Sequence, residues 1–211
     1  MPALLAQDAA RPRSQQVEIG PSSIGFCRRK VFHILRSDVG RNPTDKLAAM
    51  MGTSLHESIE TGINAHADTV RYRTEVEVPG IEGFIGPGHI DLYDSELFKV
   101  TDWKTTKKSG LRFFPKMSQR WQVQIYGYLM KTAGYRVDLV ELVAIPRDGK
   151  TQDILLHTEA YDEKMVGNAF DWLRSVHTAL GDDNPPVPEI GKRMCADYCE
   201  FYLSHCPSSS K

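Results

Sequence analysis

Cysteine is scarce in this 211-residue chain, with four in all, and tryptophan is scarcer still with three. Four cysteines among so many residues are too few for the disulfide framework of a small secreted scaffold. No apolar run approaches the roughly 20 residues that a membrane-crossing helix needs, so a helical membrane protein is excluded and no membrane partner is expected. No segment repeats itself, which excludes a solenoid. Excess charge of one sign is missing too: 26 Lys and Arg stand against 27 Asp and Glu, for a net charge of −1. A uniformly basic nucleic-acid coat is therefore ruled out. What is present is 41% hydrophobic content, enough to bury one good core as a single domain. The opening Ala3-Leu4-Leu5-Ala6 is too short an apolar stretch for a secretory leader, so a cytoplasmic location with reduced thiols is expected.

The chemistry-bearing residues gather in the middle of the chain. Gly88-His89-Ile90-Asp91 closes a strand-like run over 84–93, and Thr101-Asp102-Trp103-Lys104 lies in a second over 97–104. Asp94-Ser95-Glu96 supplies turn residues between them. Side chains alternate along a strand, so Asp102 and Lys104 share a face. Pairing Asp94 with Leu97 would set Asp91 opposite Val100 and His89 opposite Asp102, bringing both carboxylates and the lysine to one surface. An exposed pair of carboxylates kept close suits a divalent ion. Mg²⁺ and Mn²⁺ take such oxygen ligands, and a lysine beside them suits phosphodiester hydrolysis. Asp-x-Lys alone is common on solvated hairpins, so the weight rests on its company.

That company includes Gly52-x-x-x-His56 in a helical pattern starting near Thr44, with Leu47, Met50, Met51, Leu55 and Ile59 at helical spacing. It also includes Gln122-x-x-x-Tyr126, four apart and so on one helix face. His56 could equally be a half-buried histidine satisfied by Glu60, and the second pair part of an ordinary amphipathic helix. Between Thr101 and Arg120, the cations Lys104, Lys107, Lys108, Arg112, Lys116 and Arg120 face Asp102 alone. Such a stretch suits a polyanion, and Phe113, Phe114 and Trp121 among them are of the kind that stacks on unpaired bases. Packing in the following helix is the competing reading for the aromatics. Cys27, near the start, and Cys195-x3-Cys199-x6-Cys206, near the end, read as four thiolates for a metal or cluster, zinc or iron–sulfur.

Taken in order, Cys27, Gly52 to His56, Gly88 to Asp91, Asp102 to Lys104, Gln122 to Tyr126 and the three clustered cysteines resemble the PD-(D/E)xK nuclease superfamily in its RecB-like branch. Within it the pattern is similar to CRISPR-associated iron–sulfur exonucleases and their phage homologues. The resemblance implies an α/β (α+β) restriction-endonuclease-like core: a mixed central sheet flanked by helices, with the C-terminal cysteines joined to the N-terminal one. It implies metal ligands His56, Asp91 and Asp102, and a catalytic set of Asp91, Asp102, Lys104, Gln122 and Tyr126. Lys107, Lys108, Arg112, Lys116 and Arg120 would contact DNA. A [4Fe-4S] cluster on Cys27, Cys195, Cys199 and Cys206 is implied, with structural Zn²⁺ as the alternative. The cysteine gaps are one residue longer than is usual in this branch, and His205 beside Cys206 is a competing ligand. Activity would be Mg²⁺- or Mn²⁺-dependent exonucleolytic cleavage of single-stranded DNA with a free end, in recombination, repair or phage DNA processing. A phage-encoded chain would work in the host cytoplasm. A structure-selective endonuclease or a non-catalytic DNA-end-binding adaptor is the rival. The expected layout is a mobile tail over 1–16, one nuclease domain over 17–207 and a short tail over 208–211.

Along the chain, the pattern predicts helices over 22–37, 44–66, 117–132 and 162–180. It predicts strands over 72–78, 84–93, 97–104, 137–145 and 153–161.

Overall fold

The computed structural model describes residues 19–206; the expected tails over 1–16 and 208–211 lie outside them. Five strands form one sheet in the order β1-β2-β3-β4-β5. They are β1 (Tyr72–Val78), β2 (Gly88–Asp94), β3 (Lys99–Thr106), β4 (Leu139–Pro146) and β5 (Leu155–Ala160). β3 and β4 run parallel, and the other neighbours are antiparallel. A parallel pair needs a crossover. Here it is α3 (Met117–Thr132), with α1 (Arg28–Leu35) and α2 (Leu47–His66) before it, and α4 (Glu163–Gly181) and α5 (Lys192–Tyr198) after it. The result is the mixed, helix-flanked α/β sheet that the sequence implies.

The centre of the sheet is apolar because it is covered. Val100 on β3 and Val140, Leu142 and Ala144 on β4 are fully buried, beneath Ile125, Leu129 and Met130 of α3. Burial of each large aliphatic side chain contributes about 1.5–3 kcal/mol. α4 packs alongside α3 through Val166, Ala169, Phe170, Leu173 and Val176. Its start is fixed by Asp162, whose carboxylate accepts from the Lys164 N–H at 2.8 Å. α3 stops before Gly134, which takes a φ of +91°.

The predicted helix over 22–37 is divided. Gly25 adopts a φ of +78° and Cys27 is extended, so a 3-10 turn over Pro21–Ser23 precedes α1 and Cys27 becomes its N-cap. α2 begins at Leu47 rather than Thr44, where the Asp45 carboxylate accepts from the Leu47 N–H at 2.9 Å. Residues 84–87, predicted as strand, form a loop before β2. No described helix is long and apolar enough to cross a membrane.

The β2–β3 hairpin departs from the predicted register by two residues. Asp94 pairs with Lys99, Tyr93 with Val100 and Leu92 with Thr101. The connection is longer than a two-residue turn because the Asp94 carboxylate accepts from the N–H groups of Glu96 and Leu97, and Phe98 adds a residue at φ +50°. A two-residue slip preserves parity. Continued by one step, the observed register sets Asp91 opposite Asp102, on the face that the sequence reading requires.

Candidate active site

Asp91 and Asp102 lie on adjacent strands of a covered sheet and are only 4% and 3% exposed, not the exposed pair expected. Buried carboxylates must be accounted for oxygen by oxygen. Asp91 Oδ2 accepts from the Trp103 N–H at 2.7 Å, and its Oδ1 lies 3.3 Å from His56 Nδ1. Asp102 Oδ1 accepts from Gln122 Nε2 at 3.2 Å. Asp102 Oδ2 has Lys104 Nζ at 2.7 Å as a charge pair, yet that approach lacks hydrogen-bond alignment and the buried oxygen has no hydrogen-bond partner. The aligned bond from Lys104 goes to Gln122 Oε1 at 2.7 Å. Gln122 Nε2 also donates to the Tyr126 hydroxyl at 3.0 Å. One glutamine side chain, one helical turn from Tyr126, thus organises the acid, the lysine and the phenol.

His56 reaches the carboxylates because α2 comes close to β3. A Cβ at Gly52 would lie 3.2 Å from Thr105 Oγ1, so glycine permits the approach one turn before the histidine. The His56 ring stands edge-on to Trp103, with centroids 5.8 Å apart.

The electrostatics follow from burial and company. Burial is the largest influence on Asp102 and pushes it up to about 6; Asp91 adds to the rise, and Lys104 and His56 oppose it. For His56, burial works to lower its pKa, but the hydrogen bond to Asp91 and the charges of Asp91 and Asp102 win, and it is raised. Two buried carboxylates beside an imidazole, with Lys104 as the counter-charge of one of them, are a donor set fitted to a divalent ion. Among the described residues the donor atoms of His56, Asp91 and Asp102 do not all come within 4.8 Å of one another, so shared ligation requires side-chain adjustment.

The predicted basic contacts are dispersed. Lys108 pairs with Asp153 at 2.9 Å and Arg120 with Glu159 at 2.7 Å, which commits both to ion pairs. Arg112 lies over the Phe113 ring, and Lys116 is the N-cap of α3. Lys107 lines a groove of about 530 Å³ with Thr105, Ser109, Gly110 and Arg147 on one side and Ala48 and Ala49 of α2 on the other. Arg147 escaped the sequence reading. Its Nη1 donates to Thr105 Oγ1 at 3.0 Å because the parallel β3–β4 pair ends together, with Thr106 opposite Pro146. Of the three aromatics, Phe113 is 58% exposed, whereas Phe114 and Trp121 pack against the core.

The four cysteines are free and buried. Burial pushes Cys195 up to about 11, and Cys206, Cys199 and Cys27 add to the rise, so thiols from both ends of the chain feel one another. Burial likewise raises Cys199 and Cys206. The two ends are tied by Asn42 Nδ2, which donates to the carbonyls of Ala196 and Cys199 at 2.9 Å each, and by Arg29, which donates to the His205 carbonyl.

Comparison with known proteins bears on this geometry. No curated protein matches the chain. Among solved structures, that of SSO0001 is 18% identical with a TM-score of 0.61, covering 99% of this chain and 95% of that one. A phage-related exonuclease from Haemophilus somnus 129PT is 12% identical with a TM-score of 0.53, covering 74% and 79% respectively. An alkaline exonuclease from Laribacter hongkongensis is 11% identical with a TM-score of 0.54, covering 81% and 91%. At these identities the likeness is one of fold. The sequence pattern of the PD-(D/E)XK nuclease superfamily matches residues 59–207, which takes in Asp91, Asp102, Lys104, Gln122, Tyr126 and the three C-terminal cysteines. The chain belongs to the PD-(D/E)XK nuclease superfamily.

Proposed function

We propose that the protein is a metal-dependent deoxyribonuclease acting as an exonuclease on single-stranded DNA. The observation that carries the reading is the junction at Gln122, where one buried side chain holds Asp102, Lys104 and Tyr126 together beside Asp91 and His56. His56, Asp91 and Asp102 would hold Mg²⁺ or Mn²⁺. Bound there, the ion would supply Lewis-acid stabilisation of the phosphoryl oxygens and a more acidic attacking water.

The chain's own residues have separate tasks. Lys104 keeps its ammonium against the acidic pair, able to neutralise charge developing on the phosphate or to exchange a proton with the water. Gln122 Oε1 fixes Nζ, so the charge is aimed before substrate arrives. The Trp103 N–H holds Asp91 in place, and the remaining Asp91 oxygen faces His56. Lys107 and Arg147 line the groove at the carboxyl ends of β3 and β4, where α/β sheets bind ligands. Phe113 is the exposed aromatic on the segment leading from β3 to α3 and suits stacking on an unpaired base. For the cysteines, the mutual influence of buried thiols drawn from both chain ends supports a [4Fe-4S] cluster joining them.

The test is release of acid-soluble nucleotides from linear single-stranded DNA with Mn²⁺ or Mg²⁺, against chelator and against a covalently closed circle. Stepwise loss of the linear strand with the circle intact supports the exonuclease. Efficient cutting of the circle moves the assignment to a structure-selective endonuclease, and binding without release under either metal leaves a DNA-end-binding adaptor. Visible absorption of freshly purified protein tests the cluster separately: a colourless folded protein with stoichiometric zinc would replace iron–sulfur and leave the nuclease reading standing.

A further inference from the structure

Away from the nuclease site, His33, Asp38 and His205 converge from the two ends of the described chain. Each offers one donor atom, and the three atoms lie within 4.8 Å of one another. We propose that His33, Asp38 and His205 form a second metal site, selective for a transition-metal dication of the Zn²⁺ class, that fastens the C-terminal segment to α1.

Three observations carry this. The first is a buried nitrogen. His33 is 4% exposed, and its Nδ1 meets Asp38 Oδ2 at 2.8 Å. A dication can take the place of the proton that this nitrogen and this carboxylate oxygen share.

The second is the state of His205. Its Nε2 lies 3.1 Å from the Val39 carbonyl, which can only accept, so Nε2 carries the proton and Nδ1 keeps its lone pair in the neutral ring. A ring nitrogen held by a backbone carbonyl is the usual outer support of a metal-binding histidine. The two imidazoles lean together, with ring centroids 5.1 Å apart.

The third is size and charge. Nitrogen and oxygen donors sit about 2.0–2.2 Å from zinc, so any two ligands lie within roughly 4.4 Å of each other. With all three donor atoms within 4.8 Å of one another, a small rotamer adjustment brings them to that range. Arg36 Nε stands 3.6 Å from Asp38 Oδ2, but the Nη1 of that guanidinium is held by Asp183, and Arg29 is turned to the carbonyls of His205 and Pro186. No close bidentate guanidinium neutralises Asp38.

Two imidazoles and one carboxylate favour Zn²⁺, Co²⁺ or Fe²⁺ over Mg²⁺ or Ca²⁺, which take oxygen sets. The site shares no residue with the nuclease cluster, so it stands or falls independently of that reading. His205 adjoins Cys206, and an ion here would anchor the same segment that carries the last cysteine.

The experiment uses the full-length protein as purified, in excess Mg²⁺, titrated with Co²⁺ and read by competition with a chelator and by visible difference spectra against the same protein before addition, which cancels the absorption of any cluster already bound. Asp91→Asn separates the nuclease site, and Asp38→Asn and His205→Gln test the new one. Both are accessible enough to fold, which circular dichroism checks. Wild type and Asp91→Asn are expected to bind Co²⁺ with ligand-field bands that lack sulfur charge transfer, and Zn²⁺ to displace it. Asp38→Asn and His205→Gln are expected to weaken that binding by at least about tenfold. The proposal is overturned if wild type takes up no Co²⁺ beyond what Asp91→Asn removes. It is equally overturned if both variants bind as wild type does, or if the bound Co²⁺ shows thiolate charge transfer, which would place it on the cysteines.

Discussion

Replacing Asp102 with asparagine is expected to stabilise the metal-free protein while abolishing cleavage. Asp102 is 3% exposed and burial pushes its pKa up to about 6, against about 3.9 in an unfolded chain. A raised carboxylate pKa means that the folded state disfavours the charge. That contribution is neutral below about pH 4, is lost progressively as pH rises through about 6, and then costs roughly 3 kcal/mol at about 1.4 kcal/mol per unit. Asparagine removes the charge and keeps an oxygen for Gln122 Nε2. It also strips Lys104 of its counter-charge, an attraction already contained in the value of about 6. The gain is therefore about 3 kcal/mol, or roughly 6–12 °C in Tm for a chain of this size. Thermal melts in chelator at neutral pH read it directly, and the gain should shrink as pH falls from about 6 to about 4, below which Asp102 is protonated in the folded and the unfolded chain alike. An asparagine variant no more stable than wild type in chelator, or a gain independent of pH, would show that the carboxylate is not held at a cost. Divalent metal should then narrow the gap by stabilising wild type alone.

Lys104→Ala should lower cleavage by about 10²-fold or more with DNA binding retained, as expected for a proton-transfer or charge-neutralising group; single-turnover assays with saturating Mn²⁺ check this, and near-normal rates would remove lysine from the chemistry. His56→Ala should cost under about 1 kcal/mol of stability, because α2 buries no side chain. It should nevertheless raise the Mn²⁺ concentration for half-maximal activity by about tenfold or more, and a large Tm loss with unchanged metal response would make it a packing residue. Gly25→Ala should destabilise by about 2–4 kcal/mol, since it forces a side chain into φ +78° and places Cβ 2.8 Å from the Trp121 ring. Urea melts read that loss, and a neutral result would mean that the turn before Cys27 is soft.

Local pattern anticipated which residues meet better than it described their setting. The bounds of β1 and α3 follow from alternation in Tyr72–Val78 and from helical spacing up to the stop at Gly134. Strand parity was enough to put Asp91 and Asp102 on one face, although the pairing itself was two residues off because turn hydrogen bonds to the Asp94 carboxylate are invisible to periodicity. Arg147 could not be read, since its approach to Thr105 depends on a parallel pairing across 42 positions. Burial of the two carboxylates was missed for a related reason: polar residues in sequence signal a wet surface, and only the helices laid over the sheet make it dry. Lys108 and Arg120 looked free as a run of positive charge, yet their acidic partners arrive from Asp153 and Glu159, far along the chain.

The helix that carries His56 has a consequence of its own. α2 is twenty residues long and none of its side chains is buried, whereas α3, which carries Gln122 and Tyr126, is anchored by a run of buried residues. Segments with little buried apolar surface open at free energies well below that of global unfolding. The two halves of the site therefore differ in stiffness: Asp102, Lys104 and Gln122 sit on the rigid body, and His56 rides on a detachable arm. Amide exchange along α2 should outpace that along α3, and an ion bridging His56 to Asp91 would act as a latch, converting metal affinity into closure of one wall of the groove.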